Sequence, residues 1–146
     1  MVLFSQKHVF HCCALAALLS LPLALLADVL VVTGAKSPST TLSKNQVSDV
    51  FLGKVVSLPD GSSAAPIDQP ESSPLRDEFY SKVANKSAAQ AKAHWAKLYF
   101  TGRGVPPREG TDSGDIKRIL NSTPGAIGYI EQSALDSSVK VVFVAQ

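Results

Sequence analysis

Apolar residues fall along this chain in runs of two kinds, and each kind predicts a different element. The segment DVLVVTG, residues 28–34, holds an unbroken apolar run over 29–32 and stops at Gly34. A run that short and unalternating predicts a buried strand. AAPIDQ at 64–69, AIGYIE at 126–131 and VKVVFVA at 139–145 read as three more strands. Helical spacing governs LSKNQVSDVFLGK instead. There Val47, Val50 and Phe51 share one face, Ser43 stands where an N-cap belongs, and Gly53 closes the segment. A second helix is predicted from Ser73 to about Val83, with Leu75, Phe79 and Val83 as its buried stripe. Pro74 takes its first position, where a missing N–H costs nothing. Two further helices span about 88–100, carrying Trp95, Leu98 and Tyr99, and about 113–120, ending before Pro124. The loop KSPSTT, the turn LPDG and the Gly/Pro loop TGRGVPPREG at 101–110 punctuate the pattern. The predicted order is β-α-β-α-α-α-β-β, an α/β domain whose sheet is flanked by helices.

Hydrophobic residues make up 45% of the 146, but the first 27 inflate that share. These read MVLFSQKHVFHCCALAALLSLPLALLA: Lys7, an apolar run from Val9 to Leu26 broken by Pro22, then small Ala27. That layout predicts a secretory signal peptide over 1–27 and a mature domain over 28–146, with a periplasmic location. The alternative is an uncleaved anchor, and the short run and Pro22 weigh against it. Cys12, Cys13, His8 and His11 all lie in this segment. The mature chain then has no thiol and a single histidine, His94, expected to face solvent, so neither a metal site nor another cofactor is expected. A formal charge of +2 with no basic run excludes nucleic acid as a partner. No nucleophile–base pair and no G-x-S-x-G elbow is present, so the chain does not read as an enzyme.

One stretch carries candidate chemistry. In QPESSPLRDEF, Ser72, Ser73 and Arg76 surround a predicted helix start. Such a start leaves backbone N–H groups without partners, and the helix dipole favours an anion there. Serine hydroxyls and an arginine fork would complete an oxyanion site. The competing reading is plain capping by Ser72 or Ser73, with Arg76 on the surface beside Glu71, Asp77 or Glu78. The loop after the first strand offers Ser39 and Thr40 as further donors, or is a solvated loop. If Arg76 serves a site or the surface, replacing it leaves the fold intact.

LSKNQVSDVFLGK, LPDG, DQPESSPLRDEF, HWAKLYFTGRGVPP and PGAIGYI, taken in order, resemble the substrate-binding proteins of phosphate ABC transporters. More narrowly, they look like a short, single-lobe phosphate-binding-protein-like subfamily. In the full-length family a Ser-Gly-Thr turn opens a helix and grips phosphate, with an arginine shortly before it. Ser72 and Ser73 fall where that turn would be, and Phe79 matches an aromatic residue that follows. Asp68 and Gln69 occupy the arginine's neighbourhood, and Ser73-Pro74 replaces the glycine-threonine half. The resemblance implies one lobe of the periplasmic-binding-protein type, with a mixed sheet flanked by helices. It further implies a monomeric periplasmic module that holds phosphate or a similar oxyanion at Ser72, Ser73, Arg76, Ser39 and Thr40, with an ABC permease as partner. The alternative is a lobe that has lost solute binding and docks on another envelope protein.

Overall fold

A computed structural model describes residues 28–146, so the predicted signal peptide lies outside the described residues. Five strands form one sheet: β1 (Val29–Gly34), β2 (Ala65–Asp68), β3 (Arg108–Glu109), β4 (Ala126–Glu131) and β5 (Val139–Ala145). Four α-helices accompany them: α1 (Lys44–Phe51), α2 (Pro74–Ala84), α3 (Ala88–Phe100) and α4 (Ser113–Ser122). The strand order is β3-β2-β4-β1-β5. β2 is parallel to β3 and β4, whereas β1 is antiparallel to both of its neighbours, β4 and β5. Four strands therefore point one way and β1 points back between two of them.

The uninterrupted VLVV of β1 follows from this central place. Val29 and Val31 enter a core with Val47, Phe51, Phe79, Val83 and Tyr129, under α1 and α2. Leu30 and Val32 enter a second core with Ile116, Ile119, Leu120 and Ile130, under α4. A strand covered on both faces has no polar alternation to show. On β4, Gly128 lets α4 lie close: a Cβ there would sit 2.9 Å from the Ile116 side chain.

Local signals set most helix ends. Ser43 and Gln46 form a reciprocal capping box at α1, and Ser87 and Gln90 form one at α3. Gly53 follows α1 with φ +70°. Helix α4 runs two residues past the predicted Leu120, and Thr123 before Pro124 then turns extended.

Two expectations need correcting. Residues 108–109, read as loop, form a two-residue edge strand on β2, and Gly110 N–H donates to Asp68 O at 2.9 Å. No periodicity can announce a strand that short. His94 does not simply face solvent: it is half-buried, with Nε2 2.7 Å from Leu52 O. On α3, Trp95 is buried, whereas Tyr99 is 59% exposed. No helix among the described residues is long and apolar enough to cross a membrane.

Candidate functional site

The carboxyl ends of β2 and β4 meet the amino ends of α2 and α4 at one edge of the sheet. Asp68 ends β2 and Glu131 ends β4. Gln69, Pro70, Ser73, Leu75, Thr111, Asp112, Ser113 and Glu131 line a shallow depression between the two helix starts.

Below this edge lies a buried polar network. Asp68 accepts from Tyr80 Oη at 2.8 Å and from Tyr129 Oη, and also from Gln69 N at 3.0 Å. Arg76 Nη2 lies 3.4 Å from the Asp68 carboxylate. Arg76 Nη1 donates to Glu109 Oε1 at 2.6 Å and to Gln69 O at 3.0 Å. Gln69 Nε2 donates to Tyr129 O and to Ser113 Oγ, both at 3.0 Å, and Ser113 Oγ donates to Glu131. Phe79 stacks on the Tyr129 ring at 3.8 Å between centroids and packs the network from the core side.

Burial raises the Asp68 pKa above the usual carboxylate range, although the Tyr129 hydroxyl, the Arg76 charge and Tyr80 all oppose it. Burial and the adjacent Asp68 charge push both tyrosine hydroxyls up, so each stays a donor at ordinary pH. Burial works against the Arg76 charge, but Asp68 and Glu109 more than offset it, and the guanidinium stays ionised. The arrangement holds charge and moves none: each acid has a donor and each phenol an acceptor. No group of three or more His, Cys, Asp and Glu residues placed to hold a metal occurs among the described residues.

The five predicted donors do not converge. Ser73 is the N-cap residue of α2, yet its side chain makes no capping bond, and exposed Ser72 precedes it. Arg76 is turned inward and 7% exposed, with its charge matched by Asp68 and Glu109. It also borders a shallow hollow with Glu71, Ala88, Ala89 and Lys92. Ser39 is 2% exposed, and its hydroxyl donates to Asp60 Oδ2 at 2.6 Å. Thr40 is exposed on the same loop. That loop follows β1, which runs opposite to β2 and β4, so it lies at the far edge of the sheet. The strand length separates the two edges by roughly 15–20 Å. Ser39 and Thr40 therefore cannot share an anion with Ser72 and Ser73. The reason is one antiparallel strand, which the sequence pattern does not reveal.

The network residues Tyr80, Tyr129 and Glu109 escaped the sequence reading. A signal existed for two of them. Tyr129 falls on the inward face of AIGYIE and Tyr80 adjoins buried Phe79, and a buried phenol needs an acceptor. Asp68, at the end of an apolar strand, was the natural acceptor.

No protein-family model matches the chain, and no curated protein matches it in sequence. Solved structures do match its fold. A protein assigned as a phosphate ABC transporter substrate-binding protein, with bound phosphate, from Clostridium perfringens superposes with TM-score 0.64 at 24% identity, over 80% of this chain and 45% of that one. An ABC-type phosphate transport receptor from Vibrio cholerae gives 0.62 at 19% identity, over 80% and 46%. PstS from Borrelia burgdorferi gives 0.59 at 13%, over 80% and 47%. The chain spans about half the length of the solved structures it matches. Its fold is a mixed five-stranded sheet flanked by four helices, of the periplasmic-binding-protein type.

Proposed function

We propose that residues 28–146 act in the periplasm, after removal of a signal peptide over 1–27, as a solute-binding module for phosphate or a similar oxyanion. The ligand sits at the start of α2 and undergoes no chemistry there. The observation that carries this reading is the free Ser73 side chain. Helices α1, α3 and α4 are each capped by a side chain, Ser43, Ser87 and Asp112, whereas Ser73 occupies the same position without a capping bond. Pro74 has no N–H and Arg76 N donates to Ser73 O at 3.1 Å, so the Ser73 hydroxyl, that of Ser72 and the Leu75 N–H are the groups left for an oxyanion. Arg76 braces this helix start from beneath, its fork held by Asp68 and Glu109. The likeness to a protein with bound phosphate supports the ligand class. The module is a monomer, and its partner is an ABC permease.

A second reading has its own observation. Asp112, Glu131, Glu71 and Glu109 surround the site with negative charge. On this reading the lobe has lost solute binding and docks on another envelope protein. Calorimetric titration of the chain from Asp28 with phosphate, then sulfate, at low salt separates the two. Saturable heat with phosphate, lost in Ser73→Ala, supports the solute-binding module. No heat and no thermal shift at millimolar phosphate overturns it and leaves the interaction module.

A further inference from the structure

At the other edge of the sheet, four apolar side chains stand out of the surface: Val56, Tyr99, Phe100 and Val105, exposed by 79%, 59%, 85% and 77%. Exposed apolar residues are ordinary when scattered. These are gathered. Gly53 and Gly104 both rest on the Trp95 indole, where a Cβ would come within 2.5 Å and 3.2 Å of the ring. Trp95 is itself fixed by its Nε1–H, which donates to Phe51 O at 3.0 Å. One indole thus draws together the segment after α1 and the loop after α3. Val56 O accepts from Ala64 N at 2.9 Å, at the entry to β2. Val105 to Arg108 line a shallow depression with Ala65, Pro66 and Ile67 at the same entry. Tyr99 and Phe100 meet edge to face, 5.9 Å apart, at the end of α3.

The rim of this surface is basic. Lys97 lies in the last turn of α3, Arg103 in the following loop and Arg108 beside Val105 in the depression. Among the described residues none of the three has a carboxylate partner. Glu109, the nearest acid in sequence to Arg108, is committed to Arg76.

We propose that Val56, Tyr99, Phe100 and Val105, rimmed by Lys97, Arg103 and Arg108, dock this domain on an anionic lipid surface. The charge is complementary to acidic headgroups. The apolar side chains are loop and helix-end tips that stand out of the surface. A folded partner would need a matching set of hollows, whereas an interfacial lipid layer conforms to each tip. Tyrosine and the long basic side chains suit the headgroup level, with phenylalanine and valine below them. The surface lies at the entry of β2, and the α2 start lies beyond its exit. Docking therefore leaves the Ser73 edge turned away from the lipid, and the inference does not depend on what that edge binds.

The test uses the chain from Asp28. Both apolar cores lie within it, and the apolar segment before it would bind lipid for unrelated reasons. Co-sedimentation is measured with vesicles of phosphatidylglycerol and phosphatidylcholine, and with phosphatidylcholine alone. Expected is binding to the anionic vesicles that weakens with added salt and falls at least tenfold in Phe100→Ser/Val105→Ser and in Lys97→Glu/Arg103→Glu. The melting temperature should stay unchanged, since all four positions are exposed. Absence of binding to anionic vesicles overturns the proposal, as does binding that both double variants retain. Self-association without vesicle binding, abolished by Phe100→Ser, also overturns it and assigns the surface to a second copy of the chain.

Discussion

Arg76 and Asp68 form an ion pair inside the domain: Nη2 lies 3.4 Å from Oδ2, with the two side chains 9% and 1% exposed. The pair ties the first turn of α2 to the end of β2. Two tyrosine hydroxyls and Glu109 hydrogen-bond the pair, while Arg76 Nε is buried without a partner. A buried charge is tolerable only when matched, so removing one partner is far worse than never having had either.

Arg76→Ala should therefore destabilise the domain by about 3–5 kcal/mol, since Asp68 would keep a buried charge without its cation. Urea unfolding followed by tryptophan fluorescence checks this. A loss below about 1 kcal/mol would return Arg76 to the role of a surface residue.

Gly128→Val should cost at least about 1–3 kcal/mol by overpacking. A Cβ at 128 meets the Ile116 side chain at 2.9 Å, and two further methyl groups widen the conflict between β4 and α4. Thermal unfolding of Gly128→Val beside Gly114→Ala, an exposed helix glycine, provides the reading and its control.

Gly125→Ala should cost about 2 kcal/mol or more. Gly125 has φ +74°, and a Cβ would fall 1.9 Å from Ser63 O. The backbone must move to admit even one methyl group. The adjoining contact is Ala65 N–H to Gly125 O at 3.0 Å, so faster amide exchange at Ala65 is the local sign to look for.

Acid should weaken the link between α4 and the turn before β5. The Lys117 ammonium, with Ser138, lowers the Asp136 pKa from 3.8 to about 2. A depressed folded pKa gives stability that is present above the unfolded value and lost as pH falls through the folded one. The Lys117–Asp136 contribution should thus be intact above pH 4 and fade toward pH 2. Lys117→Met should flatten that part of the stability–pH curve, which denaturation series across the range would show.

Sequence alone determined the elements whose causes are local. The unbroken VLVV, the Val47–Val50–Phe51 face, the Ser43 cap and Pro74 at the start of α2 act within a few residues of where they stand. The helix 88–100 and the strands 126–131 and 139–145 were legible to the residue. The start of α2 was legible too, along with the serines before it. Tertiary structure decided what those residues face. Reversal of β1 between parallel strands sends Ser39 and Thr40 to the far edge of the sheet from Ser73, and only strand pairing sets that direction. The burial of Arg76 depends on Asp68, Glu109, Tyr80 and Tyr129, which reach it from β2, β3, its own helix and β4. The two residues of β3 exist because β2 offers an edge. A local pattern records what a segment favours by itself. Charge partners and the two ends of a sheet are relations between segments, fixed only when the chain closes on its core.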